Sequence, residues 1–334
     1  MKAISITKYG PPEALKVVEV EKPVPKKNEL LIKIVATAIN DYDWSLVRGK
    51  PYLYRLLFGL TTPRRQIPGM ELSGIVEKIG ADVETFKEGD AVYGDISAYG
   101  FGTFAEYLCI NEKAIFKKPD NISFEEAAAI PHASLLALQA LQGIGKIKKG
   151  QKVLLNGGGG GVGVLALQLA KSYDCEVTGV DTGDKLEMMK AIGFDEVIDY
   201  KKEDFTRNGK TYDLILDCKT NRSPLAYTRS LKPGGTYVSV GGTLSRLIQL
   251  ALTKGLISRL YNKKLTILAL KPNKGLDHVG ELYSQGVLKC VIDGPYPLDD
   301  APKLLRYFGE GKHTGKIVMT INNTGPNDSS NLPD

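Results

Sequence analysis

The sequence is poor in side chains that hold transition metals, with three histidines and four cysteines in 334 residues. Cys109, Cys175, Cys218 and Cys290 are widely dispersed, and none forms a C-x-x-C pair or a short His/Cys array. Such dispersal gives no disulfide framework, and separate reduced thiols point to a cytoplasmic protein. No apolar run is long enough to cross a bilayer, and the N-terminus opens directly into the alternating stretch Lys2–Lys8 with no apolar leader. Neither sign of charge dominates. The 44 basic residues against 38 acidic ones leave a net charge of +6, and no stripe of cations with interleaved aromatics is present. Nucleic acid is therefore a poor partner.

What is present is an ordinary globular composition, 43% hydrophobic and 25% charged, on a chain long enough for about two domains. Its most informative stretch is L-L-N-G-G-G-G-G-V-G, ending at Gly163. The run follows an apolar strand pattern, Val153 to Leu155, and precedes the helical pattern Val164 to Lys171. Gly158, Gly160 and Gly163 have G-x-G-x-x-G spacing. Missing Cβ atoms there let the backbone turn tightly and approach a pyrophosphate, which the N–H groups and dipole at the helix start, around Gly161 and Val162, would hold. Strands and helices then alternate: Cys175–Val180, Lys185–Ile192, Glu196–Tyr200, Thr211–Asp217 and Gly235–Gly241. That alternation predicts a parallel sheet of βαβ units. Asp181 closes the second strand where ribose hydroxyls would lie.

The first 121 residues read differently, as short strands broken by Gly and Pro: Leu15–Val20, Glu29–Ala38, Gly69–Ile79, Gly89–Gly94 and Gly102–Ile110. They predict a partly closed β-barrel. Ser123-Phe-Glu-Glu126 has the form of a capping box before an Ala-rich helix that Pro131 interrupts. From residue 266 a strand (Leu265–Leu270), a helix (Gly275–Gln285), a strand near Val291, a helix (Asp299–Phe308) and a strand (Lys316–Ile321) read as a return to the first domain. Residues 322–334 are polar and are expected to be disordered.

The segment around the glycine run resembles the medium-chain dehydrogenase/reductases, and within them the zinc-free quinone oxidoreductases. Gly150-Gln151, Leu154, Gly158 to Gly161, Gly163, Gln168 and Lys171 match in register, as do Pro68-Gly-Met-Glu-Leu-Ser-Gly74, Gly89-Asp-Ala-Val-Tyr-Gly94 and Gly315-Lys-Ile-Val318. The resemblance implies an α/β chain with a GroES-like, partly closed β-barrel catalytic domain (residues 1–121, resumed at 266–321) and a Rossmann-type parallel-sheet domain (122–265). It implies NAD(P)H as cofactor and a homodimer built on an edge strand, for which Gly235–Gly241 is the candidate. Zinc is not expected: Met70 stands where zinc-binding relatives have His, and the roughly four ligands that zinc needs are missing.

By the same resemblance Asn40 belongs near the nicotinamide or substrate oxygen, with Asp43 beside it or capping a helix that begins near Trp44. Tyr42, Trp44, Tyr52 and Tyr54 could line an apolar pocket, although Trp44 reads more readily as core. His132 follows Pro131 at the expected domain junction and could give a proton to an enolate; a single histidine without a visible partner is more often a structural one. Leu136 replaces a Thr common near the nicotinamide. His313, Lys316 and Gly241 match segments that approach the cofactor. Arg55, Arg64 and Arg65 read as solvated surface. For the adenosine end, Asp181 favours NAD(H) by repelling a 2′-phosphate, whereas Lys185 and Tyr200 match positions that hold that phosphate in NADPH-dependent relatives.

These residues predict a zinc-independent NAD(P)H-dependent enzyme that reduces a small quinone or α,β-unsaturated carbonyl. Two other readings remain: an alcohol dehydrogenase with an atypically bound metal, and a nucleotide-binding redox sensor without turnover. The latter draws on residues 244–264, rich in Leu, Ile and cations, which read either as an amphipathic helix on an anionic lipid surface or as a half-buried helix flanking the sheet.

Overall fold

A computed structural model describes residues 1–321, so the expected disorder of 322–334 lies outside the described residues. In chain order its strands and helices begin with β1 (Lys2–Ser5), β2 (Lys16–Glu19), β3 (Glu29–Ala38), α1 (Asp41–Arg48), α2 (Arg55–Phe58), β4 (Glu71–Ile79), β5 (Ala91–Asp95), β6 (Tyr107–Asn111) and β7 (Phe116–Lys117). Helices α3 (Phe124–Ala129) and α4 (Pro131–Leu138) follow. Next come β8 (Lys152–Asn156), α5 (Gly161–Lys171), β9 (Glu176–Asp181), α6 (Leu186–Ala191), β10 (Glu196–Asp199), β11 (Tyr212–Asp217), α7 (Pro224–Arg229), β12 (Leu231–Ser239), α8 (Leu244–Tyr261) and β13 (Lys264–Ile267). The described chain closes with α9 (Leu276–Ser284), β14 (Ile292–Pro297), α10 (Ala301–Gly309) and β15 (Lys316–Thr320).

Two compact units result. Among the described residues the first contains Met1–His132, Pro272–Gly280 and 292–321; the second contains Ala133–Lys271 and Glu281–Val291. The first unit runs past residue 121 because α3 buries Ala127, Ala128 and Ala129 and packs on β3 and β4. Its capping box is formed: Glu126 N–H donates to Ser123 Oγ at 3.1 Å, and Ser123 N–H to Glu126 Oε2 at 2.8 Å. Pro131 opens the next helix, at a position where a missing N–H costs nothing.

In the first unit the strand order is β14-β15-β3-β4-β5-β7, with β6 also paired to β3. All these pairings are antiparallel except β14 with β15. Ile32, Ile34, Leu72, Val92, Phe104 and Ile317 form part of its core. The second unit holds an all-parallel sheet, ordered β10-β9-β8-β11-β12-β13. Its middle strand β8 is buried from Val153 to Asn156, as a strand covered on both faces requires. The sheet order corrects one expectation. Gly235–Gly241 is not an edge, because β12 lies between β11 and β13; the edge strand on that side is β13, and β10 is the other.

Candidate active site

In the second unit β8 ends at Asn156 and the glycine run leads into α5, with Gly160 as N-cap. The first bond of the helix ladder is Val164 N–H to Gly160 O at 3.0 Å, so the N–H groups of Gly161, Val162 and Gly163 precede it and face an anion-binding position. The glycines do different work. A Cβ on Gly163 would sit 2.4 Å from the Gly157 carbonyl and 2.5 Å from that of Gly158, so its absence lets helix and turn pack. A Cβ on Gly158 would press on Met189 and Phe194 at 2.7 and 3.0 Å. Around Gly160 the nearest atom is 3.7 Å away and the backbone is extended, so nothing in the protein forbids a side chain there. Such an open cradle fits a pyrophosphate. Gly160→Ala is therefore expected to leave thermal unfolding unchanged while raising the Kd for NAD(P)H about tenfold, or ~1.4 kcal/mol. Gly163→Ala should lower the melting temperature itself, and calorimetry with ligand titration of both variants checks the contrast.

Asp181 stands at the end of β9. Its Oδ2 accepts the Gly159 N–H and its Oδ1 the Thr182 N–H, both at 2.9 Å. Lys185 lies close to this carboxylate. It is buried, and a Cβ on Gly159 would meet Lys185 Cδ at 2.9 Å and Asp181 Oδ2 at 3.2 Å. Tyr200 is 43% exposed and its N–H donates to the Asp181 carbonyl at 3.2 Å. At the neighbouring strand ends, where the sheet order reverses beside β8, Asn156 Nδ2 donates to Asp217 Oδ1 at 2.8 Å. Asp217 also accepts the Thr220 N–H and the Tyr237 hydroxyl, and Ser239 Oγ lies within 3.3 Å of the Gly241 carbonyl. Asn156 and Asp217 escaped the sequence reading because their partnership spans 61 residues.

In the first unit a buried charged cluster forms where β3, α1, β4 and β15 meet. Lys316 Nζ donates to Glu71 Oε2 and to Asn40 Oδ1, each at 2.6 Å. Asn40 Nδ2 donates to Glu71 Oε2 at 2.7 Å, and Glu71 Oε1 accepts the His132 backbone N–H at 2.5 Å. Glu71 is fully buried and ties together Asn40, Lys316 and His132, a role its place in Pro68–Gly74 did not reveal. Asn40, expected at the substrate oxygen, already has both ends of its amide engaged. Asp43 is fully buried and accepts the N–H groups of Asn40 and Gly69, each at 2.9 Å, which fixes α1 against the turn before β4. Burial pushes its carboxyl up to about 7, against those two hydrogen bonds and Lys316. Neither oxygen of Asp43 is presented to a ligand.

His132 has the partner that the sequence hid. Its Nδ1 lies 2.8 Å from Asp95 Oδ2, and Asp95, at the end of β5, is fully buried and also accepts the Ser97 N–H at 2.8 Å. Asn273 grips both the N–H and the carbonyl of Asp95 at 2.9 Å. Burial alone would push the imidazole down, but the Asp95 hydrogen bond and charge, joined by Glu71, raise it above its ordinary 6.5. Beside it lies an aromatic arc. Tyr42 meets the His132 ring edge-on at 6.0 Å, Tyr42 and Phe101 are 6.5 Å apart, Phe101 and Phe58 5.7 Å, and Phe58 and Tyr54 5.9 Å. Phe58 and Phe101 had no sequence signal.

Other expected residues fall elsewhere. Trp44 packs over Gly309, where a Cβ would come within 2.2 Å of the indole. Tyr52 is 67% exposed, and Arg55 is not simply solvated: its guanidinium lies between Tyr9 and Tyr52, at 4.6 and 4.9 Å. Arg64 and Arg65 are exposed, Leu136 is buried, and His313 stacks on Phe308 at 4.8 Å.

Two family models match: the alcohol dehydrogenase GroES-like domain over residues 26–120 and the zinc-binding dehydrogenase over 192–319. A chloroplast envelope quinone oxidoreductase homologue of Arabidopsis thaliana is 33% identical, with 96% of this chain and 98% of that protein aligned. The chain belongs to the medium-chain dehydrogenase/reductase superfamily, among its quinone oxidoreductase-like members. A 2-methylene-furan-3-one reductase of Solanum lycopersicum is 34% identical over 96% of this chain and 79% of that protein. The quinone oxidoreductase of Coxiella burnetii superposes with a TM-score of 0.84 at 29% identity over 96% of this chain and 99% of that one. The Escherichia coli quinone oxidoreductase, solved with NADPH, gives 0.83 at 26% identity over 96% and 100%. In this member of the superfamily Met70 is fully buried. Among the described residues no group of three or more His, Cys, Asp or Glu is disposed to hold a metal ion.

Proposed function

We propose that the protein is a zinc-independent NAD(P)H-dependent reductase of quinones or α,β-unsaturated carbonyls. The observation that carries this reading is the buried Asp95–His132 pair beside an aromatic arc. When bound in the glycine loop, NAD(P)H supplies a hydride to an electrophilic carbon. The protein's own groups provide the rest. Tyr42, Phe101, Phe58 and Tyr54 offer flat apolar faces suited to a planar conjugated acceptor. Asp95 engages Nδ1 and holds the imidazolium, so that Nε2 carries the proton given to the enolate or quinone oxygen. Asn40, Glu71 and Lys316 position the backbone of His132 from behind. Relatives named for quinone, alkenal/one and furanone reduction support the substrate class. Rates with a panel of quinones, enones and simple alcohols test it: reduction of activated acceptors should far exceed oxidation of a primary alcohol, and the reverse would overturn the assignment.

NAD(H) is the proposed preference, because the Asp181 carboxylate repels a 2′-phosphate at the ribose. Lys185 sits close enough to soften that repulsion and to receive the phosphate once the carboxylate is gone. Asp181→Ser should therefore raise kcat/KM with NADPH relative to NADH by at least about tenfold, ~1.4 kcal/mol. An unchanged ratio in steady-state assays would take Asp181 away from the ribose. A cytoplasmic homodimer, pairing through the β13 edge, completes the proposal.

A further inference from the structure

Helix α8 presents an outward face that stays exposed among the described residues. Ile248, Leu252, Leu256 and Leu260 recur every four residues along it and are 48, 80, 65 and 67% exposed. Only Leu250 and Ile257 are buried, in the core of the second unit, so the helix is anchored by one side and rigidly displays the other. Single exposed apolar side chains are ordinary on a protein surface, but a row of four on one helix marks a contact face.

Charge says what the contact is with. From Leu244 to Lys264 there is no Asp or Glu, while Arg246, Lys254, Arg259, Lys263 and Lys264 are all present. Lys263 and Lys264 donate to the carbonyls of Thr228 and Ile144, and Arg246 donates to Gln249, rather than to a carboxylate. A second copy of this chain is a poor occupant. A two-fold contact is isologous, so this segment, with exposed Arg259 beside the apolar row and no carboxylate of its own, would meet its own image with nothing to neutralise its cations. An anionic bilayer supplies the missing charge and accepts leucines at the headgroup boundary. No helix among the described residues is long and apolar enough to cross a membrane, so the contact is one of lying on the surface.

We infer that α8 is a docking surface for an anionic lipid bilayer, with Ile248, Leu252, Leu256 and Leu260 entering the interface and the flanking cations on the phosphates. The inference is independent of the proposed reaction. Its test is cosedimentation of the full chain with phosphatidylcholine vesicles, with and without about 30% phosphatidylglycerol. Partition onto the anionic vesicles should be at least about tenfold the greater, and should fall away at about 0.5 M salt as the charges are screened. Leu252→Ser/Leu256→Ser and Lys254→Glu/Arg259→Glu should each reduce it by about tenfold while leaving thermal unfolding in solution unchanged. Equal or absent binding to the two vesicle types overturns the inference, as does wild-type partition by either variant. So does a Leu252→Ser/Leu256→Ser chain that passes from dimer to monomer in light scattering when the parent shows no partition, since the face would then join copies of the chain.

Discussion

Lys316→Met lowers the free energy of unfolding by about 3 kcal/mol, the largest stability change expected from a single side chain here. Lys316 and Glu71 are both buried, with the ammonium and the carboxylate 2.6 Å apart. A methionine of similar length keeps the volume but leaves the Glu71 carboxylate with only the Asn40 amide and the His132 backbone N–H to offset its burial. Two neutral donors cannot match a charge in such surroundings. Removing both charges reverses most of the loss, so Lys316→Met/Glu71→Gln should recover over half of the denaturation midpoint shift in urea. A single variant as stable as the parent would mean that the ion pair contributes nothing and that hydrogen bonds alone hold the cluster.

The same cluster shows where the sequence could be read and where it could not. The glycine loop was legible because every constraint on it is local: a strand, a turn needing absent Cβ atoms and a helix start lie within a dozen residues. The β3 strand likewise has the expected limits, Glu29–Ala38, since its apolar content is continuous and Gly or Pro bounds its neighbours. Lys316 and Glu71 are 245 positions apart, and Asp95 and His132 are 37 apart. Nothing local tells a lysine in a terminal strand that a carboxylate awaits it. Strand order fails for the same reason. The pattern around Gly235–Gly241 announces a strand, but whether it is inner or outer depends on where β13 returns, which only packing decides. The partners of Asn40 and Asp43 were equally hidden, since Asn40 meets Glu71 and Lys316 and Asp43 meets the Gly69 N–H, all distant in sequence.

His132→Gln is expected to lower kcat for an enone or quinone about a hundredfold, ~2.7 kcal/mol, with the Kd for NAD(P)H unchanged. Glutamine can keep a hydrogen bond to Asp95 but holds no transferable proton. The pH dependence separates a proton donor from a structural histidine. Because His132 is raised above 6.5, the protonated donor is fully present below that value, and kcat should fall as pH rises through the raised pKa. Burial pushes Asp95 up, but His132 and the Ser97 hydrogen bonds pull it below 3.8 overall, so the carboxylate persists well into acid. The stability of the pair follows the same signs: it is complete between about pH 4 and 6.5, lost upward through the histidine and downward through the aspartate. Asp95→Asn removes the charge that raises His132, so the alkaline fall in kcat should move to lower pH while the acid-side rate stays near that of the parent. A purely structural histidine would give lower stability in both variants with the pH profile of kcat unmoved, and that outcome would take proton transfer away from His132.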